Sequence, residues 1–347
     1  MIAARPGAQL ALATWASVIN FWAWNLIGPV AMTDAARMSL NSAQVSMLVA
    51  TPILVGSLGR MVAGPLTDRF GGRTMFVAVS VASIVPVLAV GFAEQSGRYP
   101  LVLLFGLFLG VAGTVFAIGI PFANNWFEPA RRGFATGVFG MGMMGTALSA
   151  FFTPRLVRRL GLFHTHLIIA AALAVTAAVC VVAMHNGPYF QPNTAPVLPK
   201  LIAAARLRVT WEMSLLYAVT FGGFVAFSNY LPIYIKTIYG FSQIHAGERT
   251  AAFALAAVLA RPVGGALADR IAPKYVVLAS LAGIAVMASV AVFQPPPDVW
   301  SATTFITLAL SLGIGTGGVF GWVARRAPAG SLGAVTGIVS AAGGLGG

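Results

Sequence analysis

RMVAGPLTDR, Arg60 to Arg69, returns 201 residues later as RPVGGALADR, Arg261 to Arg270, with six of ten positions identical. The wider first copy, GSLGRMVAGPLTDRFGGR from Gly56 to Arg73, looks like the end of a membrane helix except for Arg60. A guanidinium cannot be deprotonated in a protein, so inside a bilayer it needs a partner or a purpose.

The surroundings of both copies are apolar. Of 347 residues, 58% are hydrophobic and 8% charged, with a mean hydropathy of +0.87. Soluble domains carry about 25% charged residues. The 39 glycines suit closely packed membrane helices. The fold class is therefore an all-α polytopic membrane protein. Apolar stretches long enough to span lie near 9–32, 43–66, 74–93, 99–122, 132–154 and 163–184. The polar, Pro-rich segment NGPYFQPNTAPVLPK and a short basic stretch follow, then spans near 211–235, 246–268, 275–294, 300–323 and 332–347. This divides the chain into an N-terminal lobe 1–184, a cytoplasmic linker 185–209 and a C-terminal lobe 210–347. Each repeat copy falls in the second span of its half, and parallel six-helix repeats are the sign of a two-lobed secondary transporter. The last span ends at Gly347 with no polar flank, so about 11 of 12 helices and an incomplete C-terminal lobe are expected.

The net charge of +13 invites a nucleic-acid partner, but the basic residues fall in short groups between spans, as the positive-inside rule expects. With the N-terminus inside, twelve Lys and Arg face the cytoplasm and seven the outside, against the trend of Arg155, Arg158 and Arg159. The expected location is the cytoplasmic (inner) membrane. Cys180 lies in an apolar span and reads as packing. No cleavable signal precedes the first span. No metal cluster, phosphate loop or nucleophile–base set is legible, so an enzyme and a cofactor are not expected, and nothing points beyond a monomer.

Arg60 and Arg261 each precede an aspartate, Asp68 and Asp269, by eight residues, which is about 12 Å of helix. In a hydrocarbon core about 30 Å thick both arginines then sit near mid-depth, too deep to snorkel easily. The eight acidic residues, Asp34, Asp68, Glu94, Glu128, Glu212, Glu248, Asp269 and Asp298, all map to span ends or loops. A bound anion is the simplest partner, since the guanidinium fork suits a planar oxyanion; the alternative is bonding to backbone carbonyls or a polar side chain.

GPLTDRFGGR resembles the signature loop between helices 2 and 3 of the major facilitator superfamily, and GALADRIAPK its weaker copy between helices 8 and 9. The resemblance implies the major facilitator fold and a gating role at one face for Asp68, Arg69, Arg73, Asp269 and Arg270, by charge pairs that form and break. More specifically, Phe108 to Leu156, with the run GVFGMGMMGTALSAFFTP, resembles helices 4 and 5 of the nitrate/nitrite porter family. GAVTGIVSAAGGLGG, Gly333 to Gly347, resembles its second glycine signature, and TFGGFVAFSNYLP its helix 7. The resemblance implies that Arg60 and Arg261 hold the anion between aromatic rings, best matched by Tyr217, Phe221, Phe116 and Phe21. It also makes Gly140, Gly142, Gly145, Gly337, Gly343 and Gly344 close-packing positions of helices 5 and 11. Met143 stands where the family often has asparagine, and Ser340 replaces a usual glycine.

The implied function is alternating-access movement of nitrate or nitrite across the membrane. With no mid-membrane carboxylate, and with His164, His166, His185 and His245 near span ends, nitrate/nitrite exchange is favoured over proton symport. Transport of another small anion, such as a carboxylate, and a non-transporting anion sensor are the remaining readings.

Overall fold

The computed structural model describes residues 5–297, 299–328 and 330–347. The described residues form helices and connecting turns; ten helices are long and apolar enough to cross a membrane, and Leu332–Leu345 is a shorter apolar helix. In chain order they are α1 (Pro6–Met38), α2 (Ser42–Phe70), α3 (Gly72–Ser96), α4 (Tyr99–Asn124), α5 (Pro129–Leu160) and α6 (Leu162–Ala183). Next come α7, beginning at Arg208, α8 (Gln243–Arg270), α9 (Pro273–Val292), α10 (Val299–Arg326) and α11 (Leu332–Leu345). Each expected span holds one helix, and most helices overrun the apolar stretch by about a turn. An unbroken helix satisfies its own backbone, so nothing forces it to stop at the hydrocarbon boundary.

Short connections make neighbours antiparallel. Asn41 and Gln44 close a reciprocal capping box at the start of α2, each side chain bonded to the other's backbone amide at 2.9 Å. α2 passes to α3 through Gly71 alone, at φ +81°, a conformation that a side chain disfavours. Leu54, Leu58, Val81, Val85, Val182 and Leu278 are exposed on the outside of the bundle, where a bilayer covers them.

Four membrane helices are irregular. α1 breaks between Trp24 and Ala31, where Gly28 and Pro29 interrupt the ladder. α4 breaks at Thr114, and α5 tightens at Met141–Met143. α7 widens into a π-turn over Ala218–Gly222 between Arg208–Tyr217 and Gly223–Tyr239. Three of these breaks lie beside Arg60, Arg261 or the rings around them.

Within the linker, Val197–Arg206 is a helix that buries Lys200. Asp34 and Glu94 are at helix ends, as expected, but both are fully buried, because the α1 tail folds over the end of α3. His166 is buried with them. Asp298 lies outside the described residues.

Glycines set the closest helix approaches. A Cβ on Gly264 would press into the carbonyl oxygen of Ile314, whereas a Cβ on Gly247 would meet nothing within 4 Å. Helix propensity alone favours alanine at both by about 1 kcal/mol. Gly264→Ala is therefore expected to lower the thermal midpoint of the detergent-solubilised protein, at a cost of about 1–3 kcal/mol from overpacking, and Gly247→Ala to leave it level or raise it. Equal behaviour of the two would contradict this packing.

Candidate functional site

Among the described residues the two repeat arginines are the largest fully buried side chains, with Arg60 0% and Arg261 1% exposed. Each reaches across to the opposite lobe. Arg60, on α2, donates from Nη1 to the carbonyl of Ser340 on α11 at 3.0 Å. Arg261, on α8, donates from Nη1 to the carbonyl of Gly140 on α5 at 2.8 Å. Arg60 also donates from Nε to Gly113 on α4 at 3.1 Å.

Helix breaks supply two of these three acceptors, whereas Ser340 lies within α11. At Thr114 the amide of Ala117 turns to Thr114 O rather than to Gly113 O. At Met141–Met143 the amide of Met144 turns to Gly142 O and Met141 O rather than to Gly140 O. The two carbonyls left out of the helical ladder point to the guanidinium groups. So carbonyl bonding, the alternative at the sequence level, occurs but is incomplete. Among the described residues Arg60 Nη2 and Arg261 Nε and Nη2 have no hydrogen-bond partner, and no carboxylate pairs with either arginine. The hydroxyls of Tyr217, Ser57 and Thr316 are also buried and unpartnered. These groups can donate, and the arginines can do nothing else, so the inventory fits an acceptor-rich anion.

Aromatic rings enclose the arginines. Phe221 and Tyr217 lie one turn apart on α7, stacked at 4.9 Å and 2°. Phe116, on α4, stacks at 6.1 Å and 22° with Phe221, and at 6.2 Å and 23° with Tyr217. A flat guest in van der Waals contact with two ring faces needs about 7 Å between them, more than the 6.1 Å between the Phe116 and Phe221 centroids, so the rings close on one another here. The guanidinium carbon of Arg60 stands 5.4 Å from the Phe116 centroid and 5.9 Å from that of Phe221; that of Arg261 stands 5.6 Å from Phe221. One ring thus lies within cation–π range of both cations. The enclosed space beside Arg261, Phe116, Thr136 and Phe320 is only about 10 Å³, room for about one water. A larger guest requires the rings to part.

Phe21 is placed differently from the other rings. It packs edge-on to Phe116 at 6.3 Å, and the rings over the guanidinium groups are Phe116, Phe221 and Phe224. Three neighbours escaped the sequence reading. Phe320 lies 4.6 Å from Tyr217, and Phe224 lies 5.1 Å from the guanidinium carbon of Arg261. Ser57, one helical turn before Arg60, points its hydroxyl at Gly344. Its position on the Arg60 face of α2 was a usable signal; Phe320 carried no motif.

The six signature glycines divide by contact. Gly142 and Gly145 bring α5 against Ser17 and Val18 of α1. Gly140, Gly343 and Gly344 make room for Arg261, Tyr217 and Ser57, and Gly337 for the backbone of Arg60. Glycines outside these six make similar backbone contacts. Gly137 meets the Arg261 backbone, while Gly64 meets Gly333 and Gly265 meets Gly133, all across the two lobes.

Below each arginine, toward the linker, an aspartate joins the lobes. Asp68 on α2 accepts from the amides of Gly333 and Ala334 at the start of α11, at 3.0 and 3.1 Å. Asp269 on α8 accepts from Gly133 and Phe134 near the start of α5, at 2.8 and 2.7 Å. This corrects the expected charge pairs: the carboxylates bond to helix N-terminal amides, whose unsatisfied N–H groups and positive dipole ends attract anions. The arginines nearby do other things. Arg69 lies over Phe70, Arg73 donates to the carbonyl of Val181, and Arg270 is exposed. The linker adds a strap. Asn193 donates from its amide to Asp68 O at 2.9 Å and from its side chain to Gly330 O at 2.7 Å, while Lys200 bonds Asn193 O at 2.5 Å.

The Major Facilitator Superfamily profile matches residues 11–347. A probable nitrate/nitrite transporter, NarK2 of Mycobacterium tuberculosis (strain ATCC 25618 / H37Rv), is 73% identical over 98% of this chain and 86% of its own length. The nitrite extrusion protein of Bacillus subtilis (strain 168) is 33% identical over 99% and 85%. A probable nitrate/nitrite antiporter, NarK1 of Thermus thermophilus, is 30% identical over 97% and 82%. Among solved structures, the human organic anion transporter MFSD10 superposes with a TM-score of 0.74 over 98% of this chain and 91% of its own, at 14% identity. The proton:xylose symporter XylE gives 0.73 over 98% and 86%, at 15%. The fold is thus shared with transporters of divergent sequence, and by its match to the superfamily profile and its similarity to these relatives this chain belongs to the nitrate/nitrite porter family of the Major Facilitator Superfamily.

Proposed function

We propose that this protein exchanges nitrate and nitrite across the cytoplasmic membrane by alternating access, as a monomer with its N-terminus inside. The N-terminal lobe, 1–184, and the C-terminal lobe, 210–347, rock about a central anion, and the linker 185–209 spans them on the cytoplasmic face. The observation that carries this reading is the reciprocal crossing of Arg60 to Ser340 and Arg261 to Gly140, with donors left over on both guanidinium groups. A planar oxyanion can take those donors bidentately while it lies between Phe116 and Phe221. Tyr217 offers a further hydroxyl. The names of the relatives support nitrate and nitrite as the pair, and one is named an antiporter.

The same geometry favours exchange. Backbone dipoles offset the two cations only in part, and no acidic side chain among the described residues pairs with them. An anion completes the neutralisation, so the lobes pass one another with it more readily than without it. Asp68, Asp269 and the Asn193 strap hold the cytoplasmic face shut until that exchange of partners occurs. Arg69, Arg73 and Arg270 flank this gate.

Labelled nitrate uptake into proteoliposomes preloaded with nitrite tests the reading. Uptake is expected to need internal nitrite or nitrate, and uptake driven by a pH gradient into empty vesicles would replace exchange with proton symport. Arg60→Lys and Arg261→Lys keep the charge and lose the fork, so each is expected to reduce exchange by roughly 10–100-fold, the equivalent of one charge-assisted hydrogen bond. Full activity in either variant would remove the arginines from the site. A second measurement addresses the gate. In a Ser340→Cys background, where the native Cys180 is buried, Asp68→Asn with Asp269→Asn is expected to speed thiol labelling from the linker face. Unchanged labelling would mean that the carboxylate bonds do not hold that face closed.

A further inference from the structure

Away from the arginines, three titratable side chains converge inside the N-terminal lobe. Asp34 comes from the tail of α1, Glu94 from the last turn of α3 and His166 from the first turn of α6, and all three are 0% exposed. His166 Nε2 stands 3.4 Å from Glu94 Oε2, and the Asp34 carboxyl lies against that of Glu94. Gly91, on α3, leaves room for the imidazole: a Cβ there would come within 2.7 Å of His166 Cβ and Cγ. No side chain outside the trio takes the carboxyl oxygens of Asp34 and Glu94 as hydrogen-bond acceptors among the described residues.

The imidazole geometry fixes where a proton must go. His166 Nδ1 is 2.9 Å from the carbonyl of Leu162, which can only accept, so Nδ1 carries hydrogen. Nε2 then faces Glu94 in one of two ways: protonated, as an imidazolium beside a carboxylate, or as a lone pair receiving the proton of a neutral Glu94. With no proton at that contact, a lone pair would face a buried carboxylate, and a second carboxylate, Asp34, would lie against the first. Like charges in a dry site do not both ionise. Arg37 is the cation that acts on both carboxyls among the described residues. Arg37 together with one proton neutralises the trio, whichever atom holds that proton.

We propose that Asp34, Glu94 and His166 form a buried proton-binding site that fastens the tail of α1 to α3 and α6. It lies at the ends of these helices remote from the Asp68 gate, and it shares no residue with the arginine site. Loss of its proton would leave two carboxylates opposed to one cation, and the α1 tail would then be released from the lobe.

The test reads the proton directly in the full chain. At about pH 8, above the ordinary ranges of free carboxyl and imidazole groups, purified protein is examined by infrared spectroscopy for the carbonyl stretch of a neutral carboxylic acid. The same sample, labelled with ¹⁵N-histidine, is examined by NMR for an imidazolium. The chain has four histidines, so comparison with His166→Gln identifies the relevant signal. One proton is expected, either as a neutral-acid band lost in Glu94→Gln or Asp34→Asn, or as a His166 imidazolium that reverts to neutral in one of them. A trio fully deprotonated at that pH in the unaltered protein overturns the proposal, and this readout requires no variant to fold. A neutral-acid band or imidazolium that neither carboxamide variant alters overturns it equally.

Discussion

Each of two buried guanidinium groups is held by a backbone carbonyl that belongs to the other lobe. That constraint explains much of the surrounding architecture. An isolated cation in hydrocarbon is costly, and an arginine cannot escape by losing its proton. Two of the three acceptors come from places where the helical ladder is interrupted: the break at Thr114 frees Gly113 O for Arg60 within its own lobe, and the tight turn at Met141–Met143 frees Gly140 O for Arg261. The irregularities of α4 and α5, which elsewhere in a membrane would expose unsatisfied backbone, are tolerated because a charged donor takes up the released groups. The π-turn of α7 stands between Tyr217 and Gly223 and sets Phe221 within cation–π range of both cations.

The same two helix contacts, α2 with α11 and α8 with α5, then run from the arginines to the linker face in matching order. Arg60 meets Ser340 where Arg261 meets Gly140. The Arg60 backbone meets Gly337 where that of Arg261 meets Gly137. Asp68 meets Gly333 where Asp269 meets Gly133. The internal duplication is therefore visible as two equivalent seams. Each seam carries a charged side chain at either end and bare backbone between, so the lobes touch through groups that can exchange partners rather than through interlocked side chains. Surfaces of that kind can separate without repacking a core, which is what rocking requires.

Polar chemistry in this protein is concentrated in a few buried places. The arginines occupy the centre, the aspartates close one face, and the carboxyl–imidazole trio lies toward the other. The first two join the lobes, and the third joins helices within one lobe. The central cations and the gate carboxylates are separated by about two turns of helix, so the field of a bound anion reaches the gate mainly through the shared rigid helices α2 and α8.

The apolar runs, the duplicated RMVAGPLTDR segment and the glycine signatures determined the helix count, the fold and the two arginines, because burial in lipid writes itself directly into local composition. Hydropathy could also place Asp34, Glu94 and His166 near span ends, but not reveal that the α1 tail buries them; depth along a helix is a local property, and enclosure by other helices is not. Which carbonyls receive the guanidinium groups, that Asp68 and Asp269 bond amides rather than arginines, and that Phe320 stands nearer the stack than Phe21 were decided by tertiary structure alone. Those partners lie up to 280 residues apart in the chain, and acceptors that every residue possesses leave no mark in the identity of the residue that carries them.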